Sequence, residues 1–164
     1  MPREEERPVQ QSVIDRLIDN DPGPRVEAPP TRAQSVRDLK AAVRRDLEWL
    51  LNTRSVAVRP PEALTEVAES VYTFGLGDIT SMSADDPKSR AKLRHMIERS
   101  IALFEPRLAG VQVAESAIVT RELRQMRFVI HAALKMDPSP ERVSFDTVLD
   151  LSTGQYAVKG ESSA

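Results

Sequence analysis

The chain has 164 residues, 40% hydrophobic and 29% charged, a balance that fits one soluble globular domain and excludes a chain too polar to build a core. It has no cysteine, so disulfides and thiolate metal sites are excluded, and its two histidines, His95 and His131, are too few for a histidine-only metal cage. A net charge of −2 offers no overall positive field for nucleic acid, and no apolar run approaches the roughly 20 residues of a membrane span.

Residues 1–30 hold six of the twelve prolines and read as a flexible arm. Met1 to Gln11 is charged and lacks the apolar stretch of a secretory signal. Within the arm, Ser12 to Asp19 forms a short amphipathic segment with Ile14, Leu17 and Ile18 on one side. A helix so short is marginal in water. It either orders on a partner or staples the arm to the domain's own core, and the sequence leaves both open.

The compact domain is expected over 31–160. A helix over 35–51, capped by Ser35, carries Val36, Leu39, Val43, Leu47 and Leu50 at helical spacing. Arg37, Lys40, Arg44, Arg45 and Glu48 lie on its other side, a face expected to be solvated. After a connector over 52–59, Pro60-Pro61 opens a second predicted helix with Leu64, Val67, Ala68 and Val71 as its stripe and Gly75 as a left-handed cap. Phe74-Gly75-Leu76-Gly77-Asp78 reads as a turn. It is no phosphate loop, because no strand precedes it, no Lys-Ser/Thr follows and a third glycine is missing. Asp85-Asp86-Pro87 starts a third helix, with acids against its positive end. Its stripe is Leu93, Met96, Ile97, Ile101 and Phe104, with His95 off it. Pro106 lacks an N–H and biases Glu105 away from helix. The helix therefore ends sharply, and Glu105 and Arg107 stand beside the first strand as a rigid joint or docking point.

From there the period changes. Residues 108–113 alternate as a short strand and 114–122 form a polar connection. Residues 123–136 fit a strand or a helix, with Met126, Phe128, Ile130, Ala132 and Leu134 alternating. A cleaner strand covers 143–151, with Val143, Phe145, Leu149 and Leu151 on one face. Ser152-Thr153-Gly154 turns the chain into a return strand where Tyr156 and Val158 face together. Helices followed by strands predict an α+β fold, about three helices packed on a small, mostly antiparallel sheet of about four strands. The last strand is a candidate edge, open to strand addition from another chain.

Four blocks in this order resemble the TssE family, baseplate wedge subunits of the type VI secretion system related to a wedge protein of contractile phage tails. They are Ser12-Val13-Ile14-Asp15-Arg16-Leu17-Ile18-Asp19-Asn20-Asp21-Pro22, Phe74-Gly75-Leu76-Gly77-Asp78, Glu105-Pro106-Arg107-Leu108, and Phe145-Asp146-Thr147-Val148-Leu149-Asp150 with Gly154. The resemblance spans residues 12–159 and implies a structural, non-enzymatic subunit without cofactor or metal. It implies wedge partners of the TssF, TssG and TssK type and contractile sheath proteins of the TssB and TssC type. It places the protein in the bacterial cytoplasm, beneath an inner-membrane-anchored complex, with no nucleic acid and no membrane insertion. Glu105, Pro106 and Arg107 are the candidates for the joint or a wedge contact. Ile14, Leu17 and Ile18 are those for wedge docking, and Phe145, Val148 and Tyr156 those for the sheath-facing hairpin.

A lysozyme-like glycosidase is the rival reading. It would use Glu105 as the acid, yet Arg107 stands beside it and a second carboxylate, Asp146 or Asp150, is not singled out. A small regulatory adaptor is a third.

Overall fold

A computed structural model describes residues 7–18, 23, 28–80, 82–83, 85–116 and 125–160. The described elements are α1 (Val13–Leu17), α2 (Arg32–Asn52), α3 (Thr65–Ala68) with a single 3-10 turn at Val71–Thr73, and α4 (Pro87–Phe104). They are followed by β1 (Leu108–Glu115), β2 (Gln125–Leu134), β3 (Glu141–Asp150) and β4 (Gln155–Lys159). The fold is α+β, as the order of helices and strands predicts. The last four residues of the first family-like block, Asp19 to Pro22, lie outside the described residues.

α2 begins three residues earlier than its expected first residue, because Thr31 is the cap. Its hydroxyl accepts the Gln34 N–H at 3.3 Å. Ser35 lies inside the helix and is buried, its hydroxyl donating to the Arg32 carbonyl at 2.8 Å. The expected stripe otherwise holds: Leu39, Val43, Leu47 and Leu50 are in the core, with Val36 half-buried. The opposite face is less solvated than expected, since Lys40 pairs with Glu141 of β3 at 2.8 Å and Arg45 is tied into ion pairs described below.

The second predicted helix is much shorter than expected and does not start at Pro60-Pro61. Only α3 and the 3-10 turn form, because Ser70 breaks the segment and its hydroxyl accepts the Tyr72 N–H at 3.2 Å. Leu64 and Val71 of the expected stripe are exposed, so the segment has no apolar seam to hold it as a longer helix. Gly75 caps no helix either. At φ +104° it lets the backbone run close to Thr53, where Leu76 N–H donates to Thr53 C=O at 2.8 Å and Ser55 N–H to Leu76 C=O at 2.9 Å. This short bridge pins the Phe74–Asp78 turn to the chain leaving α2, and Leu76 and Ile79 drop into the core.

α4 forms as expected. Asp86 accepts the N–H groups of Lys88 and Ser89, and Leu93, Ile97 and Ile101 are fully buried. His95 is exposed beside Glu98. β1 continues to Glu115, two residues into the expected polar connection; Ser116 follows it, and 117–122 lies outside the described residues. The strand reading wins for 125–134, since β1 and β3 flank it on both sides. The sheet order is β1-β2-β3-β4, antiparallel throughout. α2 and α4 cover one face of this sheet. Met126, Phe128, Ile130, Leu134, Val143, Phe145 and Leu149 of the strands share one apolar core with Val43, Leu47, Leu93, Ile97 and Ile101 of the helices.

Candidate docking site

Glu105 closes α4, its N–H donating to Ile101 C=O at 2.9 Å, and its carboxylate is carried into the interior, 3% exposed. A buried charge needs a partner. Arg107 supplies it: Nε donates to Oε1 at 2.6 Å, Nη2 to Oε2, and the Arg107 backbone N–H to Oε1 at 3.2 Å. Glu105 and Arg107 therefore pair with each other. Arg107 Nη2 also reaches Asp46 Oδ2 on α2 at 2.6 Å. The bonds from Glu105, then Asp46, hold the guanidinium pKa above its ordinary value against the opposing effect of burial. Pro106 is exposed at the apex, and Lys135 clasps the joint from β2's end, Nζ donating to Pro106 C=O and N–H to Arg107 C=O, each at 2.8 Å.

α1 is fastened to the same network. Ser12 caps it, accepting the Asp15 N–H at 3.1 Å and donating to Asp15 Oδ2 at 2.6 Å. The Asp15 side chain, 7% exposed, pairs with Arg45 at 2.8 Å, and Arg45 pairs with Asp46 at 2.8 Å. The Ser12 hydroxyl first, and Arg45 after it, hold the Asp15 carboxyl below the ordinary carboxylate range. An ion-pair chain thus runs Asp15–Arg45–Asp46–Arg107–Glu105.

With its polar side inward, α1 turns Ile14 (68% exposed), Leu17 (79%) and Ile18 (48%) to solvent. The stapling alternative is overturned for these three side chains. Among the described residues of the arm, Val9 packs on the core, its N–H donating to the Ser35 hydroxyl at 2.9 Å. Arg45 also lies over the exposed Trp49 ring at 5.7 Å.

The hairpin residues divide. Phe145 and Tyr156 are core side chains, so a partner on β4 would meet backbone there and not these rings. Val148 is half-buried, on the face away from the helices. Burial raises the Tyr156 phenol pKa above its ordinary value. Gly154 turns at φ +68°, as its position predicts. Asp15, Arg45 and Asp46 are not singled out as site residues by the sequence; a polar residue bordering the apolar stripe of α2, as Asp46 does, is the one local signal of an inward-directed charge.

Among the described residues, no three or more His, Asp or Glu side chains are grouped to hold a metal ion, and no helix is long and apolar enough to cross a membrane. Both Glu105 oxygens are engaged by Arg107, and Asp150 Oδ1 accepts the Ser152 N–H at 2.8 Å in the hairpin turn.

A buried ionic joint, a short helix locked onto it with its apolar side exposed, and an edge strand mark out a small α+β domain. The sequence profile of the family described as baseplate wedge protein gp25 matches residues 37–139, and the chain belongs to that family, a structural baseplate component to which TssE is the type VI counterpart. The matched span includes Asp46 and Glu105-Pro106-Arg107 but neither α1 nor the β3–β4 hairpin. No curated protein and no solved structure matches the chain.

Proposed function

We propose that the chain is the TssE-type wedge subunit of a type VI secretion baseplate, binding wedge subunits of the TssF, TssG and TssK type and offering the contractile sheath its first docking strand. The observation that carries this reading is the ion-pair chain from Asp15 to Glu105, which fixes an exposed apolar helix against the joint of a baseplate wedge family. Isolated surface helices of this length do not persist in water. α1 is held through its polar side, leaving Ile14, Leu17 and Ile18 for a partner's apolar groove. Glu105 and Arg107 act as the rigid base of this surface and Pro106 as its exposed apex. The sheath contact is assigned to the β4 backbone, which lies at the sheet edge. The protein works on the cytoplasmic side of the inner-membrane complex.

Catalysis is disfavoured by geometry: the Glu105 carboxylate is tied by Arg107 and faces no second, free carboxylate across a cleft among the described residues.

The test is co-purification of tagged protein with co-produced wedge and sheath subunits, using the wild type and Leu17→Asp. Leu17 is exposed, so the variant should unfold at the wild-type midpoint yet lose the wedge subunits. Equal recovery by both proteins would remove α1 from the interface. Recovery of no subunit by the folded wild type would refute the scaffold role.

A further inference from the structure

α4 carries five basic residues, Lys88, Arg90, Lys92, Arg94 and Arg99, and one acid, Glu98, in a chain whose net charge is −2. Its core side is Leu93, Ile97 and Ile101. On the side away from them, Lys88, Lys92, His95, Arg99 and Ala102 recur at helical spacing, and each is exposed. The row from Lys88 to Arg99 is about 17 Å long, three turns of helix.

The acids nearby are engaged elsewhere. Glu115 of β1 pairs with Arg90 at 3.4 Å, off the row. Glu98 Oε1 accepts the Val113 N–H at 2.9 Å, and its Oε2 lies 3.2 Å from His95 Nδ1. Asp86 accepts the N–H groups of Lys88 and Ser89 at the helix start. The side chains of Lys88, Lys92 and Arg99 make no ion pair or hydrogen bond with a described residue. Nor does the row serve its own helix. A cation in the first turn opposes the helix dipole, and Lys88 and Lys92, one turn apart, repel each other.

The chemistry of the row selects among anionic partners. A basic helix that lies on a membrane also offers large apolar side chains, and a protein groove for single-stranded nucleic acid also offers aromatic platforms. The exposed large apolar side chains of the described residues all lie outside α4, and the row itself holds no aromatic besides the His95 ring. A protein helix with carboxylates at the same repeat fits it, as flanking charges pair between neighbouring helices.

We propose that Lys88, Lys92 and Arg99 form an electrostatic docking row for an acidic helix of a wedge subunit. The proposal rests on the wedge role and adds a contact distinct from α1. The charges of the row steer encounter and fix orientation, while the apolar side of α1 supplies burial.

The experiment co-produces full-length wild type, Lys92→Glu/Arg99→Glu and a charge-matched control, Arg59→Glu/Arg142→Glu, with wedge subunits of the TssF, TssG and TssK type. Arg59 and Arg142 are exposed on the connector after α2 and on β3. Both double variants should unfold in urea at the wild-type midpoint. At about 0.1 M salt the α4 reversal should recover at least roughly tenfold less of the wedge subunits than wild type, and the control as much as wild type. Lys92→Gln/Arg99→Gln introduces no acid and should lie between the two, which keeps the test valid if the reversal unfolds early. Recovery by either α4 double equal to wild type, or equal loss by the control, would overturn the docking row and leave the wedge role standing. Wild-type binding to phosphatidylglycerol vesicles, lost by an α4 double that keeps its wedge subunits, would overturn it in favour of a membrane surface. Recovery of no subunit by the folded wild type would refute the wedge role and the row together.

Discussion

Arg107→Met tests whether the joint is a buried pair or a surface one. The substitution keeps the length of the stem and removes both side-chain bonds to Glu105, leaving the carboxylate with the backbone N–H of residue 107 at 3.2 Å. Breaking a buried ion pair by removing one partner costs roughly 3–5 kcal/mol. Glu105 is 3% exposed but the Arg107 side chain is 24% exposed, which places the expected loss near the lower end, about 3 kcal/mol. The lost bond to Asp46, itself 29% exposed, adds no more than about 1 kcal/mol. Against a domain stability of roughly 5–15 kcal/mol this is a large fraction. Glu105→Gln in the same background removes the stranded charge, so the double variant should recover about 2 kcal/mol of the loss. Urea unfolding followed by far-ultraviolet circular dichroism measures the wild type, Arg107→Met, Glu105→Gln alone and the double variant; Trp49 is too exposed to report on the core. A single-variant loss below about 1 kcal/mol, or a double variant that merely adds the two singles, would refute the account of a buried coupled pair. The result also bears on assembly assays, because charge reversal at Arg107 would set a third carboxylate beside Glu105 and Asp46 and act on folding first.

Gly75→Ala should lower stability by about 3 kcal/mol, since its Cβ would stand 2.8 Å from the Thr53 carbonyl carbon at φ +104° and pry open the Thr53–Leu76 bridge; a urea midpoint within error of wild type would contradict this. Asp15 sets an acid limit on α1 docking. Its folded pKa is depressed, so its contribution is complete above the unfolded value of about 3.9 and is lost as pH falls through the folded value. Amide exchange of α1 should therefore show docking from pH 7 to 5 and release only below the ordinary carboxylate range, and Asp15→Asn should release α1 at pH 7 with the unfolding midpoint nearly unchanged. Protection of α1 that ignores both pH and the substitution would show that the Arg45 pair does not hold it.

The parts legible in sequence are those whose causes are local. Asp86-Pro87 and Pro106 bracket α4, and Gly154 marks the last hairpin, each within a few residues of its effect. Ser35 misleads because Thr31 and Ser35 both precede the apolar period, and only the Val9 N–H, 26 residues away, assigns Ser35 to the interior. Leu64 to Val71 has helical spacing without a surface to face, so tertiary context overrides it. Residues 125–134 become a strand because β1 and β3 pair with them, a cause no window of sequence contains. The candidate site is half legible for the same reason. Glu105 and Arg107 are neighbours in the chain, whereas Asp46 lies 61 residues from Arg107.

The attachment of α1 has a mechanical consequence. A pull on that helix reaches the domain through the Asp15–Arg45 pair, because Arg45 and Asp46 are neighbours in α2 and the pairs beyond them join α2 to the helix-to-sheet joint. The guanidinium of that pair is 38% exposed, while Arg107–Glu105 at the inner end is mostly shielded. Dissolved ions screen exposed charges over roughly 8–10 Å at ordinary ionic strengths and reach shielded pairs far less. The tether is thus graded, soft outside and stiff within. A load on α1, or a rise in salt, parts it at the α2 surface and leaves the helix-to-sheet joint whole.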